Sequence, residues 1–147
     1  MKKLFHILGL LAVLTAGPAL AQQAQEFGDY KVYYNALNSS LISPSVAKVY
    51  GIRRSDSRGL INIAVKHKDS DGNEAAVKAA VTASARNLTG QTRNIDMREI
   101  DDGDDAVYYI GELSVRNQET FDFTVLITPE GAVKPFSVTF RQQFFTE

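Results

Sequence analysis

The stretch Thr120-Phe121-Asp122-Phe123-Thr124-Val125-Leu126-Ile127-Thr128 carries the clearest periodicity in the chain. Phe121, Phe123, Val125 and Ile127 recur at every second residue. In an extended chain that spacing puts all four side chains on one face, as in a half-buried β-strand. The same alternation recurs on both sides of it. Phe136, Val138 and Phe140 follow, and Val107, Tyr109, Gly111 and Leu113 precede. Further back stand Ile61, Ile63 and Val65, and then Tyr30, Val32 and Tyr34. Turn formers separate the runs: Asp71-Gly72-Asn73, Asp102-Gly103 and Glu130-Gly131. Many short strands at this spacing predict an all-β fold, a sandwich or a barrel.

Two segments read less simply. Glu74 to Leu88 is rich in alanine, which favours helix. Yet Val77, Ala79, Val81, Ala83 and Ala85 alternate, and a strand is the expectation. Ser43 followed by Pro44 has the form of a helix start, with a serine cap and proline at the first position. Residues 44–50 are therefore open to a short helix or to irregular structure. Adjacent aromatics, Tyr33-Tyr34, Tyr108-Tyr109 and Phe144-Phe145, should point to opposite faces of their strands. One of each pair then faces outward, either lying flat on the sheet or forming a tyrosine recognition patch.

The first 21 residues read differently. Met1-Lys2-Lys3 precedes an apolar stretch from Leu4 to Leu14, then Gly17-Pro18 and Ala19-Leu20-Ala21. A basic start, a short apolar core and an Ala-x-Ala end predict a cleaved signal peptide over 1–21. The apolar stretch is shorter than the roughly 20 residues a membrane span needs. Residues 22–26 are expected to be a flexible polar leader, and 27–147 a single sandwich domain. The style of the signal points to the periplasm. Without cysteine there is neither a disulfide nor a cysteine-linked lipid, so packing alone must hold the domain and no stable membrane insertion is expected after cleavage. Removal of Lys2 and Lys3 takes the formal charge from −1 to −3, which offers no basic field for nucleic acid.

The absence of chemistry-bearing residues narrows the function. Once His6 leaves with the signal, His67 is the single remaining histidine, and there is no cysteine. A Cys–His pair is impossible, and a Ser–His–Asp triad would have to use His67. Zinc sites draw on Cys and His clusters that this chain lacks. Oxygen ligands gather at 69–74 and at 99–105, but neither segment has the EF-hand spacing, so each reads either as a calcium ligand set or as a solvated turn. Acids clustered in turns are a poor match for the opposed pair of a glycosidase. No phosphate-binding glycine pattern occurs. The expectation is a non-enzyme without cofactor or metal.

Several strings are distinctive: Tyr33-Tyr34-Asn35-Ala36-Leu37-Asn38-Ser39-Ser40-Leu41, Ser45-Val46-Ala47-Lys48-Val49-Tyr50-Gly51-Ile52-Arg53-Arg54-Ser55, Ala85-Arg86-Asn87-Leu88-Thr89-Gly90-Gln91, Val107-Tyr108-Tyr109-Ile110 and Phe140-Arg141-Gln142-Gln143-Phe144-Phe145. Through them the chain from about residue 26 to 147 resembles the exported proteobacterial family of domain of unknown function 4426. The resemblance implies an immunoglobulin-like two-layer antiparallel β-sandwich and brings no activity, ligand or catalytic residue with it. It does draw attention to Asn35, Asn38, Tyr50, Arg53, Arg54, Asn87 and Gln91 as a candidate binding surface. A pocket where the Asn35–Asn38 region meets Arg53-Arg54 is one expectation. The bland alternative is that these side chains cap turns and hold loops. The functional expectation is a periplasmic binding or interaction module for a protein or small ligand, with an accessory subunit of an envelope complex as the second reading.

Overall fold

The computed structural model describes residues 23–103 and 106–147. The predicted signal peptide, and Asp104 and Asp105 of the second acidic segment, lie outside these residues.

The described residues form ten strands, one short α-helix and a 3-10 turn at Ser39–Leu41: β1 (Gln23–Phe27), β2 (Tyr30–Asn38), α1 (Pro44–Tyr50), β3 (Arg58–Lys68), β4 (Glu74–Ala76), β5 (Ala79–Asn87), β6 (Thr92–Ile95), β7 (Arg98–Asp101), β8 (Val107–Ser114), β9 (Glu119–Pro129) and β10 (Phe136–Phe144). They build two antiparallel sheets, one ordered β1-β2-β3-β8-β7 with β4 also on β3, the other β10-β9-β5-β6. Of the sandwich and the barrel that the alternation allowed, the chain forms the two-layer antiparallel β-sandwich that the resemblance implied.

The core lies between the sheets and is made by the residues whose period-two spacing announced it. Ile61, Ile63 and Val65 of β3 and Phe121, Phe123, Val125 and Ile127 of β9 are wholly buried. Phe123 stacks on Phe140 with ring centroids 4.9 Å apart, and Phe144 meets Phe121 edge-on at 6.1 Å. Such aromatic pairs add about 0.5–1.5 kcal/mol each beyond the area they bury. Gly111 interrupts the inward row of β8 for a steric reason. A Cβ there would lie 2.4 Å from Ile95 Cγ2 and 2.6 Å from Met97 Sδ. The chain linking β6 to β7 crosses β8 at this point, and only glycine leaves room for it.

Two expectations are corrected. Residues 22–26 were expected to be a flexible leader, but residues 23–27 pair with β2 in full register, Gln23 opposite Tyr34 and Phe27 opposite Tyr30. Phe27 explains the order, because its ring stacks on Phe136 of the other sheet at 4.6 Å. The alternating segment 74–88 is extended, as expected, but it is two strands rather than one. β4 pairs with β3 and β5 with β9, so the chain changes sheets at Val77-Lys78. At the crossing the Ala79 amide donates to the Tyr109 hydroxyl at 2.8 Å instead of to a strand. Burial, above all, raises the pKa of that phenol.

The β2–β3 connection carries α1. Ser43 caps it by accepting from the Val46 amide at 3.4 Å, Pro44 sits at its start, and Gly51 ends it at φ +64°. The helix option for 44–50 is the one realised.

Candidate functional site

The outward face of the larger sheet is unusually apolar. Leu37, Leu60 and Ile110 are buried there, away from the main core, with Ile42, Ile52 and Ile100 packed against them. They form a second, smaller apolar cluster that the β2–β3 connection covers. The covering is incomplete. Between α1 and the sheet lies a cavity of about 360 Å³. Sheet residues from β2, β3 and β8 make its floor, Ile42, Val46 and Ile52 line one side, and Tyr50 and Asp102 stand at another.

Two polar side chains interrupt the floor. Asn35 of β2 and Asn62 of β3 are register partners on the same face, so their Cβ atoms are neighbours at about 5 Å. Each carries a buried side-chain oxygen, Oδ1, with no hydrogen-bond partner among the described residues. Leaving a buried acceptor unmatched costs about 1–3 kcal/mol. Both residues line the cavity, so each unmatched acceptor lies within a small side-chain rotation of it and is a stability cost to the unliganded fold.

Tyr50 ties the helix to the sheet edge. Its hydroxyl donates to Asp102 Oδ2 at 2.8 Å, and its carbonyl accepts from the Arg98 guanidinium of β7. The bond to Asp102, more than burial, raises the pKa of the phenol. Among the described residues lining the cavity, none is Lys, Arg or His.

The seven candidate residues fall into two groups. Asn35 and Tyr50 line the cavity. The other five hold loops. Asn38 Nδ2 donates to the carbonyls of Asp56 at 2.7 Å and Phe145 at 3.0 Å. Arg54 donates to the carbonyls of Ile42 at 2.7 Å and Ser40 at 3.0 Å, fixing the chain that enters α1. The Arg53 carbonyl accepts from Ser39 Oγ at 2.7 Å, and the Arg53 amide donates to Glu112 at 3.2 Å. Asn87 and Gln91 bond each other across the β5–β6 turn, Asn87 Nδ2 to Gln91 Oε1 at 3.1 Å and the Gln91 amide to Asn87 Oδ1 at 2.9 Å. The cavity is therefore formed by Asn35 with Asn62 and Tyr50, and neither Arg53 nor Arg54 lines it. Asn62, Tyr108 and Asp102 were not singled out from the sequence. The available signal was Leu60 and Ala64, apolar on what should be the solvent side of β3, on either side of Asn62.

The other candidates are committed elsewhere. His67 packs edge-on to the Tyr30 ring at 5.0 Å, and among the described residues no hydroxyl or carboxylate is hydrogen-bonded to it. Asp69 Oδ1 accepts from the amides of Asp71 and Asn73, both at 2.9 Å, the turn-forming role of such residues. Glu99 and Asp101 pair with Lys78 at 3.2 and 3.4 Å. Among the described residues no group of three or more His, Cys, Asp or Glu is arranged to hold a metal ion. The tyrosines do not form one patch: Tyr30 and Tyr34 pack toward the core, Tyr33 donates to Glu74 at 2.8 Å, and Tyr50 and Tyr108 flank the cavity.

Comparison with known proteins agrees with this architecture. The family model described as domain of unknown function DUF4426 matches residues 24–147. The crystal structure of a DUF4426 family protein from Pseudomonas aeruginosa PAO1 is similar to it at 33% sequence identity and a TM-score of 0.71, over 86% of this chain and 96% of that one. No curated protein matches the sequence. With nearly all the described residues inside the family match, the chain belongs to the DUF4426 family.

Proposed function

We propose that this protein is a non-catalytic binding module of the periplasm, and that its ligand sits between α1 and the outward face of the larger sheet. The observation that carries the reading is the pair of unpartnered amide oxygens on Asn35 and Asn62, register partners on β2 and β3 that both line a cavity outside the main core. Polar groups left unmatched in a buried setting call for a partner the chain itself does not supply. Support for a passive role comes from the lining, where the titratable groups are Asp102 and two tyrosines, and Asp102 is engaged by Tyr50. Support for export comes from the basic start, the apolar core and the Ala19-Leu20-Ala21 end of the leader.

The test is a fragment screen by thermal shift on the full chain, expressed with its own leader and isolated from the periplasm. Val46→Trp, which fills the cavity from its exposed rim, is the control. Fragments that raise the melting temperature of the wild type and not of the variant support the reading. Equal shifts in both proteins, or none in either, refute it. Failure to recover the protein in the periplasmic fraction refutes the location separately.

The accessory-subunit reading keeps one observation in its favour. Leu41 and Val49 expose 61% and 74% of their surface on the same connection. Cross-linking in the periplasm that captures one stoichiometric partner, lost on Leu41→Ser and Val49→Ser, would support it over the small-ligand reading.

A further inference from the structure

We propose that the cavity takes an uncharged, amide-bearing small molecule: a polar end with an N–H donor beside a carbonyl acceptor, on an apolar body. This deepens the binding reading above and rests on it. Three observations select the class.

The first is charge. With no Lys, Arg or His among the described lining residues, a carboxylate or phosphate would enter without a counter-charge. A cation would find one carboxylate, Asp102, which is exposed to water and so attracts it weakly, and which already accepts from the Tyr50 hydroxyl at 2.8 Å. Arg98 is held by the Tyr50 carbonyl and is not a lining residue. Burying an uncompensated charge costs far more than burying a neutral dipole. A neutral ligand is favoured.

The second is the hydrogen-bonding inventory. A side-chain amide offers two donors and a two-lone-pair acceptor. Asn35 and Asn62 leave their Oδ1 atoms unmatched. An alcohol can donate only one hydrogen to the pair. A carboxamide presents donor and acceptor on one planar edge, the geometry by which asparagine pairs with the donor–acceptor edge of adenine. It can satisfy an asparagine bidentately, or bridge both, with small side-chain rotations.

The third is size and lining. Leu37, Ile42, Val46, Ile52, Leu60 and Ile110 give the cavity aliphatic walls. Its 360 Å³ holds about a dozen non-hydrogen atoms at ~30 Å³ each, the share of a water molecule in the liquid. An aliphatic or monocyclic body suits those walls.

The experiment is a calorimetric titration of the full chain, isolated as above, with four straight-chain six-carbon ligands: hexanamide, hexanoate, hexylammonium and hexanol, at pH 7. The expected result is hexanamide binding at least about tenfold tighter than the other three, about 1.4 kcal/mol. Asn35→Leu and Asn62→Leu should each weaken hexanamide about tenfold while changing hexanol by less than about threefold, since only the amide uses the asparagines. Equal or tighter binding of hexanoate or hexylammonium overturns the ligand class. So does hexanamide binding that both asparagine variants leave intact. If another of the four binds best and Val46→Trp abolishes its binding, the cavity reading survives and the amide proposal does not. If none of the four binds at millimolar concentration, the amide proposal falls, and the fragment screen judges the cavity reading independently. The ligand series on the wild type needs no variant, so a misfolded substitution does not blunt the test.

Discussion

Replacing Asn62 by leucine should make the unliganded protein more stable. Asn62 stands on β3 between Leu60 and Ala64 on the outward face, which are 2% and 4% exposed. Its register partners are Asn35 and Ile110. Its Oδ1 is buried without a donor. Leucine has nearly the same shape and no polar atom. Relief of the orphaned acceptor contributes about 1–3 kcal/mol. The gain in apolar burial adds less than a fully buried leucine would, because the side chain borders a cavity. A net gain of about 1–3 kcal/mol follows, or roughly 4–12 °C in melting temperature for a domain of this size. Equilibrium unfolding in urea should show a higher midpoint with an unchanged slope. Asn35→Leu should behave alike. As the two residues are cross-strand neighbours, their effects should couple, and a double-mutant cycle measures by how much. A residue kept for ligand rather than for fold is one whose removal stabilises. If Asn62→Leu lowers the midpoint by more than the equivalent of about 0.5 kcal/mol, the amide is structural, satisfied by a fixed water, and the functional argument built on it fails.

Gly111→Ala should destabilise the fold by about 1–3 kcal/mol, because its Cβ would lie 2.4 Å from Ile95 Cγ2; urea denaturation measures it, and the cost should shrink in an Ile95→Ala background. Ser39→Ala should cost about 1–3 kcal/mol, since the fully buried Oγ accepts from the Ser55 amide at 2.9 Å and donates to the Arg53 carbonyl at 2.7 Å. An unchanged urea midpoint would contradict that. Tyr50→Phe keeps the Arg98 contact and loses the Asp102 bond. Its stability should stay within about 1 kcal/mol of wild type while hexanamide dissociates several-fold faster, read by stopped flow. The backbone amides of Asn73 and Asp71 hold the Asp69 carboxyl below its ordinary value of 3.8. A carboxyl depressed in the folded state contributes stability that is present above its unfolded pKa and lost as pH falls through the folded one. Stability should therefore decline below about pH 4, and Asp69→Asn should flatten that acid limb in pH-dependent unfolding.

The sandwich was legible because its signal is redundant. Each inner strand repeats the same period, and Phe121 through Ile127 leave no other reading of β9. The break at Val77-Lys78 was not legible, because alternation continues through it: Val77 and Ala79 keep the pattern while the partner strand changes from β3 to β9. Only Tyr109, reaching from the opposite sheet to the Ala79 amide, marks the crossing. β1 was missed because Gln23 to Glu26 carry no apolar alternation. They are ordered by pairing to β2 and by the one ring of Phe27. At the cavity, Asn35 was noticed within a distinctive string, whereas Asn62 looked like the ordinary polar half of an alternating strand. What makes it unusual is the cover that α1 lays over that face, a tertiary fact that local period cannot encode. Arg53 and Arg54 drew attention by their charge, which does not reveal where a side chain is placed: Arg54 donates from Nε and Nη2 to backbone carbonyls, and Arg53 is bonded to its neighbours through its backbone, so neither lines the cavity.

Asn38 and Gly59 are register partners at the ends of β2 and β3. The whole connection between them, helix included, thus departs from and returns to neighbouring points on one sheet. In topological terms it is an enlarged hairpin tip, and the register of the ladder beneath does not depend on its length, so long as a replacement still covers Leu37, Leu60 and Ile110 as Ile42 and Ile52 do. Insertions or replacements there leave the strand pairing untouched, since a loop's closure entropy grows only slowly with its length. The roof of the cavity can accordingly be exchanged while its floor stays fixed, much as a tool head is changed on a common handle. Grafting a different connection between residues 38 and 59 is a way to retarget the domain without rebuilding it.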